Sequence, residues 1–303
     1  MPVHTIPSDA LTQAPSICDE QARKWCAQLE SGSILYFPQT PVPIPESDLD
    51  FLLSLPKIAN SLHKNIAYKP DRNKMSGVDK KCATGMREVM RRYSLNVSAF
   101  LGEFLVPYRG RWRLDYASFR PFEERGRDLP LRHRNDLLHT DAFPTRPTRG
   151  WRILRFFHNI HPSRARNWIV SEPFPCVIGV FAPAKLGIPR ADGLLSLVGK
   201  QLAQATGIAG LIPQWKRTPY DEFMMRLHNA MKEDAAFQAS CVREEMQFAP
   251  GSSWMVYTET VPHAVLCGQF ALEQTFLVDP AAMIARDSAP ITILEKMAGA
   301  RLA

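Results

Sequence analysis

The sequence predicts a mainly β fold with flanking helices (α+β), whose core is a double-stranded β-helix of the jelly-roll or cupin-like type. From about residue 112 onward, short alternating or apolar runs are separated by turn-forming stretches, which is typical of antiparallel sheets. Helical patterns lie mainly before that point and in one later insertion. Between residues 248 and 267 a turn, a strand, a histidine and a second strand follow one another, the order that an antiparallel jelly roll produces.

The N-terminal part of the chain has a mixture of helical patterns and one short strand. Apolar periodicity and capping residues indicate the helices. The strand is expected at residues 34–37. The expected helices are 18–29, a segment that starts after Ser47 as N-cap, 79–93, and 97–105 with Asn96 as its cap. We expect these helices to support a sheet.

The remainder of the chain is expected to alternate strands with three helices. The helix at 219–232 has the clearest start, with Thr218 as N-cap, Pro219 at the first position and Asp221 at the third. The other two expected helices are 192–204 and 291–302. The expected strands are 113–120, 151–160, 167–173, 176–181, 237–248, 253–258, 263–267 and 270–278.

No clean linker divides the chain, so we expect one catalytic domain that spans residues 1–303. Its parts would be an N-terminal helical buttress, a jelly-roll core with a helical insertion, and a C-terminal helix. The corresponding ranges are 1–110, 111–280 with the insertion at about 190–233, and 281–303.

Composition limits the cellular setting and the partners. The hydrophobic share of 45% and the mean hydropathy of −0.20 are those of a soluble globular protein, and the longest apolar run is too short to cross a bilayer. The N-terminus lacks the pattern of a signal peptide, and the six cysteines form no CxxC pair. These features predict a cytoplasmic protein with free thiols. A net charge of +7 favours anionic partners such as phosphorylated or carboxylated substrates, an anionic membrane or nucleic acid.

A His-x-Asp motif, His139-Thr140-Asp141, follows the apolar pair at 137–138. Residues at i and i+2 of a strand point to the same side, so the imidazole and the carboxylate can bind one metal ion. His263, at the start of a late strand, is the preferred third ligand. Two histidines and one carboxylate form the facial triad of non-heme iron oxygenases. The alternative is a surface loop with a solvated aspartate.

Other histidines are alternatives to His263 as the third ligand. His133, His158 and His161 are rival third ligands, although His158 falls on the strand face opposite Arg155 and is expected to be structural. The remaining histidines are expected to be surface or packing residues. They are His4, His63 and His228.

Arginine dominates the middle of the chain. Fourteen arginines and no lysine lie between residues 109 and 166. Arginine binds carboxylates and phosphates with two parallel hydrogen bonds and stays charged when partly buried. The pattern therefore indicates a site for a strongly anionic ligand, and the alternative is an exposed basic face that reflects codon bias. Arg155, in the middle of a strand, needs an anionic partner if it faces a barrel interior.

Several segments together resemble one known family, the Kdo hydroxylases, Fe(II)/2-oxoglutarate-dependent dioxygenases of Gram-negative bacteria. The resemblance covers about residues 112–280 and is most specific in the centre. The segments that carry it are Tyr-Ala-Ser-Phe-Arg-Pro at 116–121, Asp-Leu-Leu-His-Thr-Asp-Ala-Phe-Pro at 136–144, Gly-Trp-Arg-Ile-Leu-Arg-Phe-Phe-His-Asn-Ile-His-Pro at 150–162, Pro-His-Ala-Val-Leu at 262–266 and Leu-Glu-Gln-Thr-Phe at 272–276.

The resemblance implies a specific reaction. Such enzymes use Fe(II), 2-oxoglutarate and O2 to hydroxylate carbon 3 of 3-deoxy-D-manno-oct-2-ulosonic acid (Kdo) on lipid A, which gives the sugar acid Ko in the inner core of lipopolysaccharide. His139, Asp141 and His263 match the iron ligands and would be the catalytic residues. The substrate implies peripheral contact with an anionic membrane, at the cytoplasmic face of the inner membrane, and no nucleic acid.

The cosubstrate and the substrate are expected to bind mainly to arginines. Many 2-oxoglutarate oxygenases carry an arginine about ten residues after the second histidine, but the segment 271–275 has no basic residue. The expected clamp for 2-oxoglutarate is Arg155 or Arg166, with Asn159 and Gln274 as hydrogen-bond partners. Three further arginines are expected to bind the substrate, namely Arg120, Arg146 and Arg152.

Three alternatives to this function stay open. The protein could be a 2-oxoglutarate oxygenase that acts on another anionic metabolite or on a protein side chain. It could be a non-catalytic basic module that binds nucleic acid or phospholipid, although the sequence has no known nucleic-acid motif. A catalytically inactive cupin is the third alternative.

Overall fold

The computed structural model describes residues 2–7, 19–126, 128–191, 193 and 216–303. Within these ranges it contains seven α-helices and eleven strands. The helices are α1 Asp19–Glu30, α2 Glu46–Ile58, α3 Lys80–Phe104, α4 Phe174–Phe181, α5 Pro219–Glu233, α6 Ala235–Ser240 and α7 Pro290–Ala298. The strands are β1 Val3–Thr5, β2 Ile34–Phe37, β3 Leu62–Lys69, β4 Lys74–Val78, β5 Trp112–Arg120, β6 Arg152–Asn159, β7 Arg166–Val170, β8 Glu244–Phe248, β9 Ser253–Tyr257, β10 His263–Cys267 and β11 Ala271–Val278.

The described strands form two sheets. The large sheet has eight strands in the order β1-β2-β9-β6-β11-β5-β3-β4, and the small sheet has three in the order β10-β7-β8. Neighbouring strands are antiparallel except for β1 and β2, which are parallel. The predicted combination of a large β-sheet with flanking helices is confirmed. The first 110 residues, expected as a helical buttress, also supply β1 to β4.

The two faces of the large sheet bury different clusters. On one face, Phe156 of β6 packs with the N-terminal helices, where Trp25 and Phe104 stack with ring centroids 4.1 Å apart. On the other face, Phe157 stacks on Trp254 at 5.2 Å and joins a cluster with side chains of the small sheet. Because successive strand residues point to opposite faces, β6 contributes to both clusters.

Two helix boundaries in the N-terminal part differ from the predicted ones. Helix α2 begins at Glu46 after Pro45, so Ser47 lies inside the first turn and is not its cap. Residues 80–104 form one continuous helix that is capped by Asp79, and Asn96 lies inside it. No proline interrupts this segment and its buried stripe is continuous through residue 96, so the chain has no reason to stop there.

Two predicted strands are wrong in whole or in part. The apolar run 176–181 belongs to helix α4, which packs in a cluster with α5 and α7. The segment 237–248 starts in helix α6 and becomes a strand only at Glu244. Short apolar runs fit a buried helix as well as a strand, so periodicity does not separate the two. Apart from residue 193, the predicted helix at 192–204 lies outside the described residues.

Helix α5 confirms its predicted start. Thr218 accepts a hydrogen bond from the backbone of Asp221, whose side chain in turn accepts one from the backbone N–H of Thr218, which is a complete capping box. This helix and α6 lie beside the His-x-Asp segment, as described below.

The described part of the chain contains no helix that is both long enough and apolar enough to cross a bilayer. The five cysteines within it are free thiols. They are Cys26, Cys82, Cys176, Cys241 and Cys267.

Candidate metal centre

The three proposed metal ligands lie together at the meeting point of the two sheets. His139 forms an isolated antiparallel bridge with His263, with N to O distances of 3.2 and 3.0 Å. The backbone N–H of Asp141 donates to the carbonyl of Thr258 at 2.9 Å. One possible ligand atom from each of the three side chains lies within 4.8 Å of the others. Within the described ranges, no other group of three His, Cys, Asp or Glu meets this criterion.

Both imidazoles are oriented by backbone carbonyls. His139 Nδ1 lies 2.7 Å from the Leu137 carbonyl oxygen, and His263 Nδ1 lies 2.9 Å from that of Val261. A carbonyl only accepts, so each Nδ1 carries the hydrogen and each Nε2 keeps its lone pair. Burial lowers the pKa of both histidines, and the neighbouring imidazole of His263 lowers that of His139 further. Both rings are therefore neutral, as metal-binding histidines must be.

Asp141 supplies the anionic group. Burial alone would raise the pKa of its carboxyl group, but the Arg155 guanidinium, whose Nη2 lies 3.0 Å from Oδ2, holds that pKa below its usual range. The carboxylate is therefore ionised at neutral pH. Two neutral imidazole nitrogens and one carboxylate are a donor set that suits a divalent transition metal, Fe(II) included.

A row of alternating charges, here called the charge ladder, leads away from Asp141. Its members are, in order, Asp141, Arg155, Glu273, Arg120, Glu124 and Arg166. The successive nitrogen–oxygen distances are 3.0, 3.3, 3.1, 3.8 and 3.7 Å. Each buried charge thus lies next to an opposite one, which offsets the cost of removing it from water.

The last member of the ladder, Arg166, is the least compensated. Its side chain is 2% exposed, and burial lowers the pKa of its guanidinium to about 10 although Glu124 opposes this. It lies on the same face of β7 as Trp168, whose ring stacks on His263 at 5.1 Å. A further anion near Arg166 would stabilise its charge.

Gly268 makes room for Arg166. A Cβ atom at Gly268 would come within 2.7 Å of Arg166 Cγ, and the Gly268 carbonyl accepts from Arg166 Nη1 at 3.1 Å. The backbone of Gly268 also has φ of +136°, which disfavours any other residue.

Two residues expected to bind the cosubstrate have other roles. The side-chain amide of Asn159 donates to the carbonyls of Arg164, Phe248 and Ala249, and its oxygen accepts from the backbone of His161. That side chain is thus engaged in holding a loop. Gln274 alternates with Glu273 along β11, so it points to the opposite face of the sheet and donates to the carbonyl of Asp115.

The three arginines expected to bind substrate differ from one another in how accessible they are. Arg152 is fully buried on the side of β6 that faces the N-terminal core, where it pairs with Glu259 and lies over the Tyr257 ring at 4.1 Å, so it cannot reach a substrate. Arg146 is 30% exposed and lies over the Phe143 ring at 4.3 Å. Arg120 is 18% exposed within the charge ladder. Arg146 and Arg120 therefore remain accessible from the metal centre's side of the sheet.

Sequence reasoning missed two residues of α5 and α6 that lie against the metal centre. His228, expected as a surface or packing residue, packs its ring 5.0 Å from that of His139, and its Nδ1 bonds the Thr140 carbonyl at 2.7 Å. Gln238 contacts the backbone of Leu138. The capping residues at 218–221 predict where α5 begins, but no local pattern indicates which loop the helix packs against.

Lys232, one turn after His228, offers a test of the electrostatics around this helix. Burial lowers the pKa of its amine from 10.5 to about 8. Between these values the unfolded chain binds the proton and the folded one does not, so this residue should make stability rise with pH at about 1.4 kcal/mol per unit. We expect Lys232→Met to lack that increment. Urea unfolding of both proteins at pH 7.5 and 9.5 measures it, and equal pH slopes would contradict the expectation.

The comparisons with known proteins agree on one family. A family model described as 3-deoxy-D-manno-oct-2-ulosonic acid (Kdo) hydroxylase matches residues 12–301. The chain is similar to the crystal structure of the Kdo hydroxylase KdoO, a non-heme Fe(II) α-ketoglutarate-dependent dioxygenase, in complex with α-ketoglutarate and Fe(III). The two sequences are 31% identical and the TM-score is 0.83, and the match covers 100% of this chain and 98% of that chain. The KdoO complex with cobalt(II) is 32% identical, with a TM-score of 0.84 and coverage of 100% and 97%. No curated protein matches the sequence significantly.

Proposed function

Since this chain belongs to the Kdo hydroxylase family, we propose that it is an Fe(II)- and 2-oxoglutarate-dependent dioxygenase that hydroxylates carbon 3 of Kdo on lipid A to give Ko. The observation that carries the proposal is the buried group of His139, Asp141 and His263, with both Nε2 lone pairs free and the carboxylate ionised. 2-Oxoglutarate is another name for α-ketoglutarate.

His139, Asp141 and His263 would hold Fe(II) on one side and leave its other positions for 2-oxoglutarate and O2. When bound, the iron supplies oxygen activation that is coupled to the oxidative decarboxylation of 2-oxoglutarate to succinate and carbon dioxide. The chain's own contribution is orientation. The carbonyls of Leu137 and Val261 fix the two rings, and Arg155 keeps the carboxylate of Asp141 charged and in place.

Arg166 is the better candidate for the clamp that binds the distal carboxylate of 2-oxoglutarate. Arg155 already lies between two carboxylates, those of Asp141 and Glu273, and has little need of a third. Arg166 is buried, is incompletely compensated and shares a strand face with the residue that packs on His263. A carboxylate of the cosubstrate would complete its compensation, and Gly268 leaves the space in which its side chain lies.

Replacement of Arg166 by glutamine should therefore raise the apparent KM for 2-oxoglutarate by about 10- to 100-fold, because a charge-assisted hydrogen-bonded pair contributes about 1.5–3 kcal/mol. The same variant should lose its preference for 2-oxoglutarate over 2-oxobutanoate, which lacks the distal carboxylate. Oxo-acid turnover at saturating iron measures both values, with Arg155→Gln as the comparison. An unchanged preference in Arg166→Gln would assign the clamp elsewhere.

The substrate is proposed to approach Arg146, while Arg120, which already lies between the carboxylates of Glu273 and Glu124, would face it from within the charge ladder. Arg146 is partly exposed beside Phe143, and the Phe143 ring also lies 5.6 Å from the Arg155 guanidinium, so it connects the surface to the charge ladder. The carboxylate of Kdo and the phosphates of lipid A are the anionic groups that Arg146 would bind. The net charge of +7 supports reversible contact with an anionic cytoplasmic membrane surface.

The fold assignment follows the same premise. We propose that the small sheet and the facing part of the large sheet form the two halves of a jelly-roll core, because side chains from both build one hydrophobic cluster beside His263. The whole chain would be a single catalytic domain, with the core assembled mainly from residues 111–280.

Succinate formation tests the proposed reaction. The enzyme, loaded anaerobically with Fe(II), is mixed with 2-oxoglutarate and O2 together with lipid A that carries Kdo, with lipid A that lacks it, or with no lipid. We expect stoichiometric succinate only with the Kdo-bearing lipid. Equal succinate in all three mixtures would support a dioxygenase but contradict Kdo on lipid A as its substrate. No succinate in any mixture, from a protein that holds its iron, would contradict the proposed reaction.

A further inference from the structure

We propose that Gln238 of α6 and His228 of α5 are positioning residues of the metal centre, which bind the loop that carries His139 and Asp141 on the edge where a neighbouring β-strand would otherwise bind it. This inference rests on the proposed function, in which these two ligands bind iron. Neither Gln238 nor His228 is itself a ligand.

The backbone of residues 138–141 is bound alternately on two sides. His139 exchanges both of its backbone hydrogen bonds with His263 of β10, and Asp141 donates to Thr258, which follows β9, so the odd positions bind the segment that runs from the end of β9 to the start of β10. Leu138 and Thr140 bind the helices on the other side. This alternation is what a strand inside an antiparallel sheet shows, with neighbours on both edges.

Gln238 provides most of the second edge. Its Oε1 accepts from the backbone N–H of Leu138 at 3.1 Å, and its Nε2 donates to the Leu138 carbonyl at 2.9 Å and to the Met231 carbonyl at 2.8 Å. One amide thus serves both backbone groups of Leu138, as a neighbouring strand residue would, and also ties them to the end of α5. Leu138 is 1% exposed, so these backbone groups have little access to water.

His228 provides the rest of that edge. Its Nδ1 donates to the Thr140 carbonyl at 2.7 Å, and its ring packs edge-on against His139. The Thr140 hydroxyl contacts the sulfur of Met231 at 3.8 Å on the same helix. The loop that carries the two ligands is therefore held on both sides, by β-sheet hydrogen bonds on one side and by the side chains of Gln238 and His228 on the other.

If the hydrogen bonds from Gln238 or His228 to the loop are lost, the loop should hold His139 and Asp141 less firmly and the affinity for the metal should fall. Supporting residues around a metal site typically change affinity by about 10- to 100-fold when they are replaced. The side chain of methionine has nearly the volume of glutamine but can make none of the three hydrogen bonds, so Gln238→Met keeps the packing. Leucine at 228 removes the donor, whereas asparagine can place an N–H close to the position of Nδ1, so His228→Asn should restore part of what His228→Leu loses.

The test is an anaerobic titration of the metal-free, full-length proteins with Co(II), followed by visible absorption. We expect the Kd of Gln238→Met to rise about 10- to 100-fold, and that of His228→Leu to rise more than that of His228→Asn. Ser240, exposed on the same helix, donates only within its own helix, so Ser240→Ala should bind Co(II) like the unchanged protein. At saturating iron, the apparent KM for 2-oxoglutarate of Gln238→Met should stay unchanged.

The outcomes separate the inference from the proposed function. If Gln238→Met is folded by circular dichroism and binds Co(II) within about twofold of the unchanged protein, well below the expected range, Gln238 is not a positioning residue. If the unchanged protein binds Co(II) no better than His139→Ala does, the metal assignment itself fails. A lower melting temperature with an unchanged Kd would show a purely structural role and would also overturn the inference.

Discussion

His139→Ala should abolish tight binding of Fe(II) and reduce 2-oxoglutarate turnover at least about a thousandfold, a loss of about 4 kcal/mol or more of transition-state stabilisation. The imidazole of His139 is one of the two nitrogen ligands proposed for the metal, and its Nε2 is kept free by the bond from Nδ1 to the Leu137 carbonyl. Two remaining protein ligands would not hold the metal in a defined orientation.

The measurement pairs metal binding with turnover. Calorimetric titration with Fe(II) under anaerobic conditions gives the affinity, and succinate release gives the rate. His133→Ala is the matched control, since His133 is exposed six residues earlier in the same segment and should bind iron like the unchanged protein. Unchanged iron affinity in His139→Ala would show that the metal lies elsewhere.

Arg152→Met should lower the free energy of unfolding by about 3–5 kcal/mol, because it leaves the carboxylate of Glu259 buried without its counter-charge. Arg152 is fully buried and Glu259 is 1% exposed, and the guanidinium also donates to Thr260 at 2.7 Å. The double variant Arg152→Met/Glu259→Gln removes both charges and should recover much of the loss. Urea unfolding at pH 7.5 measures the three proteins.

The pH dependence gives this prediction a sign. Burial raises the pKa of Glu259, and Arg152 opposes that effect. Without Arg152 the folded pKa should rise further above the unfolded value. A group with a raised folded pKa loses its stabilising contribution as pH rises through that pKa, so the deficit of Arg152→Met should be larger at pH 7.5 than at pH 5.

Arg111→Met is the control for a pair of the same type at the surface. Arg111 is 49% exposed and lies 2.7 Å from Asp279, so its loss should cost no more than about 1 kcal/mol. A loss as small as this in Arg152→Met would contradict the assignment of Arg152 to a structural role and would reopen its expected role in substrate binding.

Local patterns predicted the parts of the site that depend on chain neighbours. The i, i+2 spacing of His139 and Asp141 and the capping box at Thr218 are such patterns, and the structure has both side chains together and the helix start as expected. The position of His263 opposite His139 depends on strand pairing between distant segments. The sequence suggested it only through the order of elements expected for a jelly roll.

The predictions for Arg152 and Gln274 are wrong for a physical reason that strand alternation explains. Arg152 has the same strand parity as Leu154 and Phe156, both of which are buried in the N-terminal core, so alternation along β6 already argued against a role in substrate binding. Gln274 was misplaced for the same reason along β11. The contacts of Gln238 and His228 could not have been predicted, since they depend on how α5 and α6 pack in three dimensions.

The most direct test of the central claim is mass spectrometry of Kdo-bearing lipid A after incubation with the iron-loaded enzyme, 2-oxoglutarate and ¹⁸O2. The account predicts a product that has gained one oxygen atom on the Kdo sugar, labelled with ¹⁸O, and no such product with His139→Ala or His263→Ala. Unmodified Kdo from a protein that holds its iron and has consumed 2-oxoglutarate would contradict the assignment of Kdo as the substrate.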